Sequence, residues 1–354
     1  MTESTKKPPI QSEPAVPAGR GGPAALVLLL RRHRWSAEVV VTLAAAALLV
    51  AYGSGPSFRQ DYVVLICTYG LLALGMYVPY IMSGSLSLAY NAYLGIGAYA
   101  CALISTKAGW SSLWGVPIGM VLSAAIAVLL GLATRKLTGF YLAGVTLLFG
   151  VAFQVFLLDR VSITGGAMGM TVARPELFGQ SIKRYQIMVV GVVLVWVVGI
   201  LLARLRQSPY GVVVRLRKDV PQVVEASGIS AGNTGIVSLA IGAAIGSLGG
   251  SLFGMMGGVA QPESFGLHII FLAIFMPLLG GQRSPWGAVL GALIVVVFTF
   301  ELDLVEDTGT LIFAIAILLV LRLAPEGLLG LVGKGWQRFC RRLGVSGHDD
   351  RGVR

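Results

Sequence analysis

The sequence predicts an all-α membrane protein, a polytopic bundle of nine or ten transmembrane helices with one of them broken or re-entrant. Three observations carry that expectation. Apolar residues fill 56% of the 354 positions and charged residues only 12%, against about 25% charged in a soluble domain. A soluble fold of this size must cover its surface with polar groups that this chain lacks. The apolar residues also fall in runs close to the roughly 20 positions that one helix needs to cross a bilayer core. Finally, lysine and arginine are distributed unevenly between alternate connections, as the sidedness of a membrane demands.

The segments follow in order. Met1 to Gly22 is rich in Lys, Pro, Ser and Glu and is expected to remain without fixed structure. Ala24–Leu30 is too short to span, and Arg31, Arg32 and Arg34 follow it directly. A secretory signal has its charges before the apolar run, so no cleavage is expected and an interfacial helix is the reading. Spans are predicted at Ala37–Ala51, Tyr62–Met82, Leu113–Ala133, Gly139–Leu158, Gln186–Ala203, Ile236–Met256, Phe265–Leu279, Trp286–Phe300 and Thr310–Leu323. Leu86–Ile104 is apolar but interrupted by Ser87, Asn91 and several glycines, and so either spans or re-enters.

Ten passes from an inside N-terminus put 21 of the 27 cations on the inner side, while the 16 acids split evenly. Both termini are therefore expected in the cytoplasm. The net charge of +11 is thus a topology signal, and no nucleic-acid partner is implied. The expected organisation is a cytoplasmic tail with its interfacial segment over 1–35, a transmembrane body over 36–325, and a basic cytoplasmic tail over 326–354. Two long connections stand out, 159–185 outside and 204–235 inside.

Chemistry-bearing motifs are few. The only Gly-Lys pair, Gly333 and Lys334, lacks the earlier glycine and the following hydroxyl of a phosphate-cradling loop. His33, His268 and His348 are too scattered for a metal site, and Cys67, Cys101 and Cys340 imply neither a disulfide framework nor a metal cluster. His268, alone of the three in a span, sits near a helix end and reads as packed or interfacial. Ser85, Ser87, Tyr90 and Asn91 supply hydrogen-bonding groups at membrane depth, beside Gly84, Gly95 and Gly97, and are candidates for a solute pathway; helix packing is the other reading of the glycines. Thr146 and Gln154 share one face of their span and join the list. Gly242, Gly246, Gly250 and Gly254 form a four-residue ridge suited to helix packing. No carboxylate or lysine interrupts a span centre, which suits an uncharged or zwitterionic solute.

In the inner connection, Pro221 precedes a short helical run, Gln222 to Ser227, closed by Gly228. Its apolar Val223, Val224 and Ala226 need a partner surface; alternatively Arg215, Arg217 and Lys218 hold the loop on lipid headgroups.

These residues resemble a known family. Glu225-Ala226-Ser227-Gly228 is similar to the Glu-Ala-Ala…Gly coupling loop of ATP-binding-cassette importer permeases, in the version of the branched-chain amino acid permeases. Five further segments match in order: Ser85–Tyr99, Thr138–Gly150, Thr164–Met170, the pair Pro262–Phe265 with Gly280–Ala292, and Ala324–Leu328. The Thr-Leu-x-Phe and Thr-Gly-Gly segments favour the longer of two paired permease types. Tyr90, Asn91 and Arg283 depart from the family pattern, and closely related permeases carry urea, short amides or other amino acids.

The resemblance implies a permease subunit in a bacterial plasma (inner) membrane, without an ATPase site or cofactor of its own. It implies four kinds of partner: a second permease, two cytoplasmic ATP-binding subunits that use the ATP, an extracytoplasmic solute-binding protein, and membrane lipid. ATPase coupling would fall on Pro221, Val223, Val224, Glu225, Ala226 and Gly228. The alternative from another class is a secondary transporter built from inverted repeats.

Overall fold

The computed structural model describes residues 34–135, 140–177, 179–302, 322, 327 and 328. The predicted interfacial segment Ala24–Leu30, the span Thr310–Leu323 and both tails lie wholly or almost wholly outside them.

Helix α1 (Arg34–Gly53) turns through Gly53–Pro56 into α2 (Ser57–Met76). Pro79 has no N–H, and there the helical ladder widens into a π-helical stretch over Tyr77–Met82. The chain then leaves helix until α3 (Tyr90–Thr106), and α4 (Gly115–Ala133) and α5 (Phe140–Asp159) follow. Next come α6 (Arg184–Gln207), the short α7 (Pro209–Asp219) and α8 (Pro221–Ala226), and the long α9 (Ala231–Gly257). Helices α10 (Leu267–Gly280) and α11 (Pro285–Leu302) complete the described bundle.

Among the described residues, five helical segments are long and apolar enough to cross a membrane, and α10 with α11 make a sixth if that bent pair is one span. The lower number than nine or ten has local causes. Helix α3 is 17 residues because 84–89 is not helical, and the apolar part of α1 is short. Phe265–Leu279 and Trp286–Phe300, read from sequence as two spans, are 14- and 18-residue helices meeting at 119° across the Gly281–Ser284 turn. At that turn Gly280, Gly287 and Gly291 let the two backbones touch.

Helix α9 is the axis of the fold. At 27 residues and 1.5 Å per residue it is about 40 Å long, and two apolar clusters pack on its two sides. One joins α2, α6 and α11 through Leu71, Met188 and Val295; the other joins α3, Phe265 and α10 through Tyr93, Leu94 and Ile269. The glycine ridge faces helices of this same chain. Gly242 meets Gly75 and Pro79 of the α2 segment, Gly246 meets Tyr90 and Tyr93, Gly250 meets Leu94, and Gly254 meets Ala98. Position numbers rise together along α3 and α9, so the two run parallel. Tyr90, the first residue of α3, lies beside Gly246, just past the middle of α9. Helix α3 therefore begins inside the bundle.

Opposite the end that holds α7 and α8, here the basic end, two short antiparallel ladders cap the bundle. β1 (Met170–Thr171) pairs with β4 (Val259–Ala260), and β2 (Glu176–Leu177) with β3 (Gln180–Ser181). Gly165 and Gly169, both at positive φ, turn the chain between α5 and β1, and a β-carbon on either would strike backbone. Arg184 and Asp61 form an ion pair of 3.3 Å at this strand end, half-exposed and therefore worth at most about 1 kcal/mol.

Candidate functional site

The first candidate region is the non-helical stretch 84–89 and the start of α3. Backbone outside regular structure is tolerated at membrane depth only where protein or a watery cavity covers it, and here protein does. Ser85, Ser87, Tyr90, Asn91 and Thr146 are all buried inside the chain. Ser85 Oγ accepts a hydrogen bond from Arg217 Nη1 (2.7 Å). The Leu88 N–H donates to Thr146 Oγ1 (2.8 Å), which itself donates to Leu142 O (2.9 Å). Asn91 Nδ2 donates to Gly150 O (3.0 Å) and Phe265 O (3.1 Å), so one carboxamide ties α3 to α5 and to the Pro262–Phe265 turn. Its Oδ1 lies where a side chain on Gly150 would go.

Thr146→Val should leave the part-buried Leu88 N–H without its acceptor, at a cost toward the lower end of about 1–3 kcal/mol. Thermal unfolding in detergent should show the loss, and Thr146→Ser should restore most of it.

Gln154 differs from the others, since it is only half-buried. Its Nε2 lies 3.5 Å, and the Nδ1 of His268 3.1 Å, from where a β-carbon on Gly266 would stand. The structure thus brings together two polar side chains around the N-terminus of α10. Sequence reasoning read His268 as packed or interfacial. The signal that singles it out is its being the one ionisable side chain within the first turn of α10.

The second region is the basic end. Ser208 caps α7 by accepting from the Gly211 N–H (3.1 Å), and Pro209 and Pro221 occupy first-turn positions of α7 and α8. Helix α8 closes in a Schellman motif: Gly228 N–H donates to Glu225 O (3.0 Å) and Ile229 N–H to Val224 O (3.3 Å), with Gly228 at φ +82°. Gln222, Val223, Glu225 and Ala226 are exposed. Val224 is not. It is 3% exposed whereas Val223 is 57% exposed, which corrects the expectation of a uniformly exposed run: a helix this short still has an inner face.

Arg217 and Lys218 also turn inward, toward Ser83, Ser85 and Ile81. The sequence does contain a sign of this, because residues two apart on a helix point about 200° apart, so Arg215 and Arg217 cannot both face headgroups.

Among the described residues no group of His, Cys, Asp and Glu could hold a metal, and Cys67 and Cys101 are free and buried. A polytopic all-α membrane protein with a broken helix at mid-bundle and a short helix presented at its basic end is the class this architecture defines. The chain belongs to the family described as branched-chain amino acid transport system, permease component, which matches residues 59–323.

Among its relatives is the high-affinity branched-chain amino acid transport system permease protein LivM of Escherichia coli (strain K12). It is 28% identical over 294 residues, covering 76% of this chain and 69% of that protein. The corresponding LivH of the same organism is 26% identical over 297 residues, covering 76% and 93%. The BraD permease protein of Pseudomonas aeruginosa is 26% identical over 285 residues, covering 74% and 92%. The chain is of the longer, LivM type. No solved structure matches it significantly.

Proposed function

We propose that this chain is the longer permease subunit of an ATP-binding-cassette importer that carries branched-chain amino acids inward across a bacterial plasma membrane. Both termini are cytoplasmic, and the chain works with a second permease of the LivH type, two cytoplasmic ATP-binding subunits and an extracytoplasmic solute-binding protein. ATP is hydrolysed by the partner subunits, and this chain holds no cofactor. The family membership and the relatives' names support the solute class. The observation that carries the mechanism is α8, with Gln222, Val223, Glu225 and Ala226 exposed on a rigid, Gly228-closed turn at the basic end. That is where a motor lacking a site of its own in this chain would push.

In this reading Ser85, Ser87, Tyr90, Asn91 and Thr146 build and fix the wall of the solute pathway. Gln154, half-buried on α5, and His268, exposed in the first turn of α10, are the groups that reach it. A half-buried amide and an exposed imidazole are costly against lipid, which favours a wet or partner-covered face for α5 and the start of α10. Pathway walls without fixed carboxylate or ammonium groups suit a zwitterion.

The substrate reading is tested by uptake of leucine, isoleucine and valine against urea and acetamide, using the chain reconstituted with its partners. Leucine, isoleucine and valine uptake with no transport of the amides is the expected result. Urea uptake without leucine uptake overturns it.

A further inference from the structure

Helix α8 has six residues and packs chiefly on α7, so a push on it reaches the middle of the bundle mainly through what α7 holds. Arg217, on the inner side of α7, holds two other segments at once. Its Nε donates to Ala231 O (2.6 Å), in the first residue of α9, and its Nη1 to Ser83 O (2.5 Å), Ser83 Oγ (2.7 Å) and Ser85 Oγ (2.7 Å). Its guanidinium lies against Gly235, where any β-carbon would collide with it. The next residue continues the joint. The Lys218 side chain lies on Gly84, and its Nζ reaches Ile81 O (3.4 Å).

Ile81 and Ser83 end the π-helical stretch, where carbonyls lack intrahelical partners and cations are favoured. No carboxylate pairs with Arg217 among the described residues, so its fork is spent entirely on the joint. From Ser85 the chain runs directly through 86–89 into Asn91 and α3.

Resting on the reading of α8 as the ATPase contact, we propose that Arg217 is a positioning residue: a rigid joint that makes α7, the start of α9 and segment 83–85 move as one body, and so transmits the movement of α8 to the start of α3. A lysine cannot replace it. The joint needs donors pointing toward two separate segments, and an ammonium is a point charge on a flexible stem.

The test uses the complete importer in proteoliposomes, with ATP hydrolysis and leucine uptake measured side by side. In Arg217→Gln and Arg217→Lys, hydrolysis should continue while uptake per ATP falls by about 5- to 150-fold, the range of a typical coupling free energy. A merely structural role would lower both together, through loss of assembled complex.

A cross-link supplies the second arm. A β-carbon on Gly84 would lie 3.3 Å from the Lys218 Cβ, close to the roughly 3.5–4.5 Å that a disulfide spans. Because Gly84 lies at φ +71°, the reduced pair Gly84→Cys/Lys218→Cys sets the baseline: oxidising it should leave uptake at the level of the reduced pair in the otherwise native chain, and should restore uptake per ATP in the Arg217→Gln background.

The proposal is overturned if Arg217→Gln keeps the native ratio of uptake to hydrolysis. It is also overturned if the oxidised cross-link stops uptake, since the joint would then have to open, or if it fails to rescue Arg217→Gln. Glu225→Lys, assayed in parallel, separates the two levels. If Glu225→Lys abolishes uptake and Arg217→Gln does not, the joint fails and the coupling reading stands; if Glu225→Lys is also without effect, the coupling reading itself fails.

Discussion

Gly250→Ala is expected to be among the most destabilising single-methyl changes in the bundle, and Gly250→Leu to prevent assembly of a stable fold. A β-carbon at Gly250 would land on the Leu94 carbonyl oxygen, 2.6 Å from its carbon and 2.9 Å from the Leu94 Cα. All three atoms are backbone, so no side chain can swing aside and α3 must move away from α9. Overpacking of a core costs about 1–3 kcal/mol when side chains absorb it, and a backbone-on-backbone clash belongs at or above the top of that range. Displacing α3 would also pull Asn91 from Gly150 O and Phe265 O, so solute uptake should fall with stability. Gly144→Ala is the control. Nothing lies within 4 Å of that position, and alanine gains about 0.5–1 kcal/mol over glycine within a helix. Thermal unfolding in detergent should separate the two variants by several degrees, and equal midpoints would refute the seam.

Glu225→Lys and Gly228→Val are expected to abolish uptake while the protein remains inserted in the membrane. Glu225 is exposed on α8, so its charge reversal acts on whatever docks there and not on the fold. Gly228 sits at φ +82° with open space around it; a β-branched residue there meets no neighbour but is held in a backbone region costing about 1–3 kcal/mol. The closing turn of α8 would then loosen and the helix would no longer be presented rigidly. Membrane abundance, measured by immunoblot, should match the native chain while uptake drops to background. Transport at the native rate in both variants would remove α8 from the mechanism.

Much of this was legible in the sequence because it depends on local rules. Span lengths follow from apolar runs, and the α8 turn follows from Pro221 and Gly228 at its two ends. The four-residue spacing of Gly242, Gly246, Gly250 and Gly254 marks a packing ridge. What the spacing could not say is that the ridge packs on α3 and α2 of the same chain, because that partner is chosen by the tertiary fold. The same limit applies at Asn91. Its polarity and depth suggested a solute contact, and only the fold reveals two backbone carbonyls within reach of its amide. Arg217 hid for a different reason: a cation in a basic loop is usually solvated or at headgroups, and nothing local to residues 204–235 shows Ser83 and Ser85 waiting 134 and 132 positions away. The 119° bend between α10 and α11 follows from close glycine contacts across the turn, which hydropathy does not register.

The central claim is that this chain moves solute only when partner subunits hydrolyse ATP. Radiolabelled leucine uptake into proteoliposomes tests it most directly, comparing the complete importer with ATP against this chain alone under an imposed proton or sodium gradient. The account predicts uptake by the complete importer that stops when ATP is replaced by a non-hydrolysable analogue, and none by the isolated chain under either gradient. Gradient-driven leucine accumulation by the isolated chain would contradict it.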